Sequence, residues 1–327
     1  MELYKSYLKK VLNIPRRIYR FIERIINQRH CYDYPFQNNG WNKHGNRPVV
    51  GNKITGSIFD PYVLEYNNQF LMFASHRKDG TIVKFDSSDG VLWKDMKISL
   101  CGISGTWEEA VNRCCVIFHD GKWKMWYTGQ NKGISSIGYS ESVDGICFKR
   151  IGTTPVLFAT LKHEGISVMN PCVIWNEEKN LFQMWYSAGE DYEPDVICYA
   201  ESIDGISWNK WNNPVLCAER SSEWEKYKVG GCSVLKDKIG NYKIYYIGYQ
   251  NLDVARICEA VSENGINWNR SKNNLLLGPT RNSWDADATY KPSVLQRDRK
   301  LYMWYNGRKG YEEYIGLATR NINENEI

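Results

Sequence analysis

The chain has 327 residues, 43% hydrophobic and 14% aromatic, enough for one large core and a short extension. Its mean hydropathy is −0.53, and no run reaches the roughly 18 apolar residues that a spanning helix needs. Net charge is +5, but residues 1–30 hold eight Lys and Arg against Glu2 and Glu23. The remainder is close to neutral, which argues against nucleic acid as its main ligand.

Residues 1–30 read as a basic amphipathic helical segment. Leu3, Tyr4, Tyr7, Leu8, Val11 and Leu12 recur at three- and four-residue spacings, as do Ile18, Phe21, Ile22, Ile25 and Ile26 beyond Pro15. Cations fill the other faces, which suits an anionic leaflet and predicts a membrane-surface anchor; packing of the apolar face on the rest of the chain is the alternative. No secretory signal is evident, so the expected location is cytoplasmic, peripheral on the inner face of the membrane. Residues 31–46 read as a linker.

From 47 to 320 one phrase recurs about five times. Its first half is an apolar, aromatic strand: Phe70 to Phe73, Lys124 to Tyr127, Gln183 to Tyr186, Lys243 to Tyr246 and Tyr302 to Tyr305. Its second half is a turn, Ser-x-(Asp/Asn)-Gly-x-x-(Trp/Phe), at 142–148, 202–208 and 262–268, with a looser copy at 87–93. A period of roughly 50 to 60 residues built from short strands and glycine turns predicts an all-β, five-bladed β-propeller with an N-terminal helical extension. Blade 5 ends at Arg320 after about three strands, so Arg47 to Val50 is expected to supply its outer strand. Residues 321–327 form a tail. The ten cysteines show no metal spacing and lie mostly in strand-like runs, as buried thiols of a reducing compartment would. No metal site and no cofactor is predicted.

The innermost strands align as 59–63, 112–116, 169–173, 230–234 and 290–294. The position before Pro or Cys is then Asp60, Arg113, Asn170, Gly231 and Lys291. A polar residue in four of five blades, inside an apolar strand, is hard to explain by packing. These side chains are expected to ring the channel mouth. Trp107, Glu108 and Glu109, then Trp224 and Glu225, then Trp284 to Asp287 lead into inner strands. Glu108, Glu225 and Asp285 recur and read as structural, whereas Glu109 and Asp287 are each four residues before a ring position. Asp144 and Asp204 belong to the turns.

The pattern resembles the five-bladed glycosidase propellers, the superfamily that holds glycoside hydrolase families 43, 32, 68 and 130. Phe59-Asp60-Pro61, Asn170-Pro171, the Met-Trp-Tyr strands with Gly129, Gly189 and Gly307, and the Asp-Gly-Ile turns carry the likeness. It implies that Asp60 is a base or nucleophile. The second-blade Asp of that pattern is here Arg113 and the third-blade acid is Asn170, a departure from three-acid hydrolysis. Glu109 or Asp287 would supply the second acid. His76, Arg77, Arg113, Asn170, Lys228 and Lys291 are expected to bind substrate or phosphate, since clustered cations suit that group. The expected activity is transfer of a glycosyl unit, with furanosyl as a candidate, from a phosphate-activated donor to a glycan or lipid-linked acceptor in surface or capsular polysaccharide synthesis. A family 43 or 32 type hydrolase and a non-catalytic glycan-binding propeller are the alternatives.

Overall fold

In the computed structural model, residues 40–189, 194–251 and 254–322 are described. The proposed anchor at 1–30 lies outside them. Five four-stranded antiparallel sheets follow one another round an axis. Blade 1 is β2 (Ile58–Tyr66), β3 (Gln69–His76), β4 (Thr81–Ser87) and β5 (Lys94–Cys101). Blade 2 is β6 (Ala110–His119), β7 (Lys122–Asn131), β8 (Ile134–Ser142) and β9 (Lys149–Arg150). Blade 3 is β10 (Ser167–Asn176), β11 (Leu181–Gly189), β12 (Val196–Ser202) and β13 (Asn209–Lys210). Blade 4 is β14 (Lys228–Lys236), β15 (Tyr242–Tyr249), β16 (Ala255–Ser262) and β17 (Asn269–Leu277). Blade 5 has β18 (Ala288–Arg297), β19 (Lys300–Lys309) and β20 (Glu312–Asn321), and its outer strand is β1 (Asn42–Lys43).

The ring is therefore closed by the beginning of the described chain. The ladder starts earlier than expected, at Asn42 opposite Thr319, inside the stretch read as linker. Val50 adds a bridge to Ile315. Among the described residues the only helical turn is Lys162–Glu164, and no helix there is long and apolar enough to cross a membrane.

The repeated residues have repeated jobs. The aromatic strand is each blade's second strand, and Trp126, Trp185 and Trp304 are fully buried between sheets. Their indole N–H groups donate to Gly205, Gly265 and Gly90 carbonyls in the turns of the next blade, at 2.7, 2.7 and 2.9 Å. Within the repeated turns the carboxylate of Asp144 accepts the Ile146 and Cys147 amides, and Asp204 accepts those of Ile206 and Ser207. The turns follow third strands that start at the mouth, so they sit on the opposite face of the disc and hold hairpins.

The buried acids tie inner to outer strands. Glu108 accepts Tyr127 Oη at 2.7 Å and pairs with Arg150 at 2.8 Å. Glu225 does so with Tyr246 and Arg270, and Asp285 with Tyr305 and Lys43. In blade 3 the same post is filled by Glu164, with Tyr186 and Lys210.

Innermost strands are edges, so their outward amides need acceptors. The blades supply these to one another. Val63 and Val294 amides donate to Ser293 and Ser233 Oγ, and Val173 and Val234 amides to Cys115 and Cys172 Sγ. Those four acceptors stand at one aligned position, which is Tyr62 in blade 1. Two of the buried cysteines thus replace serine in a belt beneath the mouth.

Candidate functional site

Each inner strand carries a β-bulge at the aligned position. The pairing register slips between Phe59 and Tyr62, Asn112 and Cys115, Met169 and Cys172, Gly230 and Ser233, and Tyr290 and Ser293. At every slip the ring residue adopts a left-handed backbone: φ is 53° at Asp60, 51° at Arg113, 55° at Asn170, 43° at Gly231 and 49° at Lys291. Asn and Asp accept this conformation more readily than Arg or Lys. Maintaining it at two long cations costs free energy, and such local strain clusters at functional sites.

A second belt fixes the bulges. The Asp60 amide donates to Asn306 Oδ1 at 2.7 Å, Arg113 to Ser75 Oγ at 3.0 Å, Asn170 to Thr128 Oγ1 at 3.1 Å and Gly231 to Ser187 Oγ at 2.7 Å. Each acceptor lies on the second strand of the preceding blade, two residues after Phe73, Trp126, Trp185 or Trp304. In blade 4 that residue is Ile247. A Cβ at Gly231 would come within 2.6 Å of Ile247 Cδ1, so a side chain at this bulge would displace Ile247.

Asp60 is 3% exposed. Its Oδ2 lies 3.4 Å from Arg113 Nε and 3.5 Å from Ser75 Oγ, and its Oδ1 accepts Asn306 Nδ2 at 3.1 Å. Burial pushes its carboxyl above the ordinary range. The charges of Arg113, Lys291 and Arg77 pull it back only in part, while Glu313 adds to the rise. Lys291 is also 3% exposed. Its stem passes 3.3 Å from where a Gly231 Cβ would stand, and its charge acts on Asp60 and on the thiols of Cys114, Cys115, Cys172 and Cys232. No hydrogen bond or ion pair to its ammonium is formed among the described residues. A cation at the end of a buried stem, with no protein partner of its own, marks a place for an anion. Asn170 donates from Nδ2 to Ser187 Oγ at 3.3 Å.

The other expected residues are placed differently. Arg77 pairs with Glu313 at 2.7 Å and lies over the Phe59 ring. His76 is engaged at both nitrogens, by Asp79 at 3.1 Å and the Thr55 carbonyl at 3.0 Å. Lys228 meets Asp195 at 2.5 Å. Glu109 is exposed ahead of β6. Asp287 Oδ2 accepts the Gly310 amide at 2.7 Å and so caps the β19–β20 hairpin. The carboxylate whose charge reaches Asp60 is instead Glu313, buried at the start of β20 and hydrogen-bonded to the half-buried Tyr290 phenol. Its only sequence signal is an acid opening the third strand of blade 5. Among the described residues no three His, Cys, Asp or Glu are grouped to hold a metal ion.

The site is thus one protonatable carboxyl, two ring cations, a third cation at the rim and an amide, above a belt of small side chains. It can bind an anion and move one proton beside it.

No protein-family profile matches the chain. Two uncharacterized proteins from strains of Mycobacterium tuberculosis are each 28% identical over 206 and 209 residues, 60% of this chain. The match spans 66% of the length of those relatives. A beta-1,2-mannobiose phosphorylase of Thermoanaerobacter sp. is 32% identical over 119 residues, 31% of this chain and 38% of that protein. Among solved structures, a beta-1,2-mannobiose phosphorylase from Listeria innocua superposes with a TM-score of 0.68 at 14% identity, covering 86% of this chain and 97% of that one. A thermostable family-43 glycoside hydrolase gives 0.64 at 21%, covering 80% and 88%. These structural neighbours are the five-bladed glycosidase propellers that the sequence resembles, and at such identities the likeness is one of fold.

Proposed function

We propose that the chain is a carbohydrate-active enzyme that moves a glycosyl unit between phosphate and a sugar hydroxyl. The observation that carries this reading is the Lys291 ammonium, which no side chain pairs among the described residues, beside a buried Asp60 whose carboxyl is raised above its ordinary value. In the cleaving direction, phosphate held by Lys291, Arg113 and Arg77 attacks the anomeric carbon through one oxygen. The glycosidic C–O bond breaks and Asp60 gives its proton to the departing oxygen. The sugar leaves as its 1-phosphate. In the reverse direction the anomeric carbon bonds to the acceptor hydroxyl, Asp60 takes that proton, and phosphate departs with the bonding pair. Phosphate brings its own nucleophilic oxygen, so no second acid is needed where Asn170 stands. Asn170 would then hydrogen-bond a sugar hydroxyl.

The phosphorylases among the relatives support phosphate as co-substrate. Run toward synthesis, the same step uses a phosphate-activated donor, and a lipid-linked acceptor at the inner face of a membrane would be brought close by residues 1–30. A hydrolase of the family 43 type is the second reading, favoured by the Glu313 carboxylate beside Asp60.

The test is phosphate release from a panel of sugar 1-phosphates, each with and without mono- and disaccharide acceptors. Release that requires an acceptor supports transfer. Cleavage of aryl glycosides at a rate independent of added phosphate would contradict it and favour hydrolysis.

A further inference from the structure

On the reading of the mouth as a carbohydrate site, we infer that a separate groove on blade 5 binds the extension of an acidic glycan. The groove is a cavity of about 1080 Å³ between the 47–53 segment, the loop before β18 and the β19–β20 turn. Trp284, Tyr314 and Asn282 line it together with Arg47, Lys53 and Lys309.

Its origin lies in a difference between blades. Trp107, Trp224 and Trp284 hold the same place before their inner strands. The Trp107 indole N–H donates to the Thr153 carbonyl at 3.0 Å. The Trp224 ring is covered by the Arg256 guanidinium at 5.2 Å. In blade 5 the residue matching Thr153 is Asn46, by equal spacing from Arg150 to Pro155 and from Lys43 to Pro48. There the hydrogen bond is not made: the Trp284 N–H has no partner among the described residues, and its half-buried ring opens on the groove. One side of that ring is seated, stacked on Tyr305 at 5.9 Å and within 2.2 Å of a Cβ placed on Gly307. A rigid indole with a spare donor is the kind of surface on which a sugar ring stacks and bonds.

Charge narrows the ligand. Arg47, Lys53 and Lys309 make no ion pair or side-chain hydrogen bond among the described residues, whereas the groove's acids are engaged. Asp287 holds the Gly310 amide and Glu312 meets Tyr314. The cations are therefore left for a ligand that carries carboxylate or phosphate groups. Along β20, Glu312 and Tyr314 border the groove while Glu313 between them faces the ring site, so a chain leaving the mouth would pass onto this surface.

Isothermal titration of the full chain with tetragalacturonate, a phosphorylated mannan oligosaccharide and the neutral cellotetraose tests this. Either acidic probe should bind, weaken with salt, and lose at least tenfold in affinity in Arg47→Ala/Lys53→Ala/Lys309→Ala. Trp284→Phe should weaken it at least threefold by deleting the donor and part of the stacking face, and Arg113→Ala should cost less affinity than the triple variant does. A preference for uronate or phosphate identifies the group recognised. Equal binding of cellotetraose, no binding of any probe, or loss in Arg113→Ala rather than in the triple variant would overturn the groove. These outcomes are independent of turnover, so they separate its failure from failure of the ring reading.

Discussion

Asp60→Asn should lower glycosyl transfer by roughly 10²–10⁴-fold, the range of a lost general acid–base group, while the propeller stays folded. Asn accepts the left-handed backbone as Asp does, fits the same space and retains one oxygen, which can accept from Asn306 while its amide nitrogen replaces the oxygen that faced Arg113. The variant also has a stability signature. Burial raises the folded carboxyl above its usual value near 3.8, so the native state holds this proton more tightly than the unfolded chain. Stability from that linkage is fully present below about pH 4 and is lost as pH rises through the folded value. Asn does not titrate. Denaturant melts at pH 4 and pH 8 should therefore show wild type losing stability relative to the variant at the higher pH. A difference of opposite sign would place a charged, stabilised carboxylate in the ring, and full activity in the variant would remove Asp60 from the chemistry.

Arg270→Ala should give the largest loss of stability. Glu225 is fully buried and receives Arg270 Nε at 2.9 Å, Tyr246 Oη at 2.9 Å and Asn274 Nδ2. Burial already raises its carboxyl despite that cation. Deleting the arginine strands a buried charge, at a cost of about 3–5 kcal/mol. For a domain of this size the melting temperature should fall by roughly 6–15 °C. Adding Glu225→Gln should recover part of that loss, because the stranded charge goes too. A fall below about 1 kcal/mol would show that Glu225 is held by its neutral partners alone.

Much of this was legible in the residues, for reasons of geometry. Strand periodicity and turn chemistry repeat with every blade, so the aligned position before Pro61, Cys114, Pro171, Cys232 and Pro292 could be read as one structural place. It proved to be a fivefold bulge. The recurrence that marked Glu108, Glu225 and Asp285 as structural reflects their shared Tyr and cation partners.

What lay outside the repeat was not legible. Counting four residues back from Arg113 and Lys291 put Glu109 and Asp287 on the channel side, but the chain there has left the ladder and strand alternation no longer applies. One of them is exposed and the other caps a hairpin. His76 ends its strand at the mouth, yet Thr55 and Asp79 engage its ring, contacts that depend on a loop no pattern announces. The Glu313 charge acts on Asp60 across the closure between blades 5 and 1, from 253 positions further along the chain. The belt of Ser and Cys acceptors was visible only as small residues in apolar strands.

The most direct measurement is a thermal-shift titration with inorganic phosphate on wild type and Lys291→Met. Methionine matches the lysine stem and removes only the ammonium, the group that no side chain pairs among the described residues. Binding to the native state raises the melting temperature by mass action. Phosphate should stabilise wild type in a saturable way and stabilise the variant only at much higher concentration. No stabilisation of wild type by phosphate, with stabilisation by neutral sugars alone, would contradict an anion site in the ring.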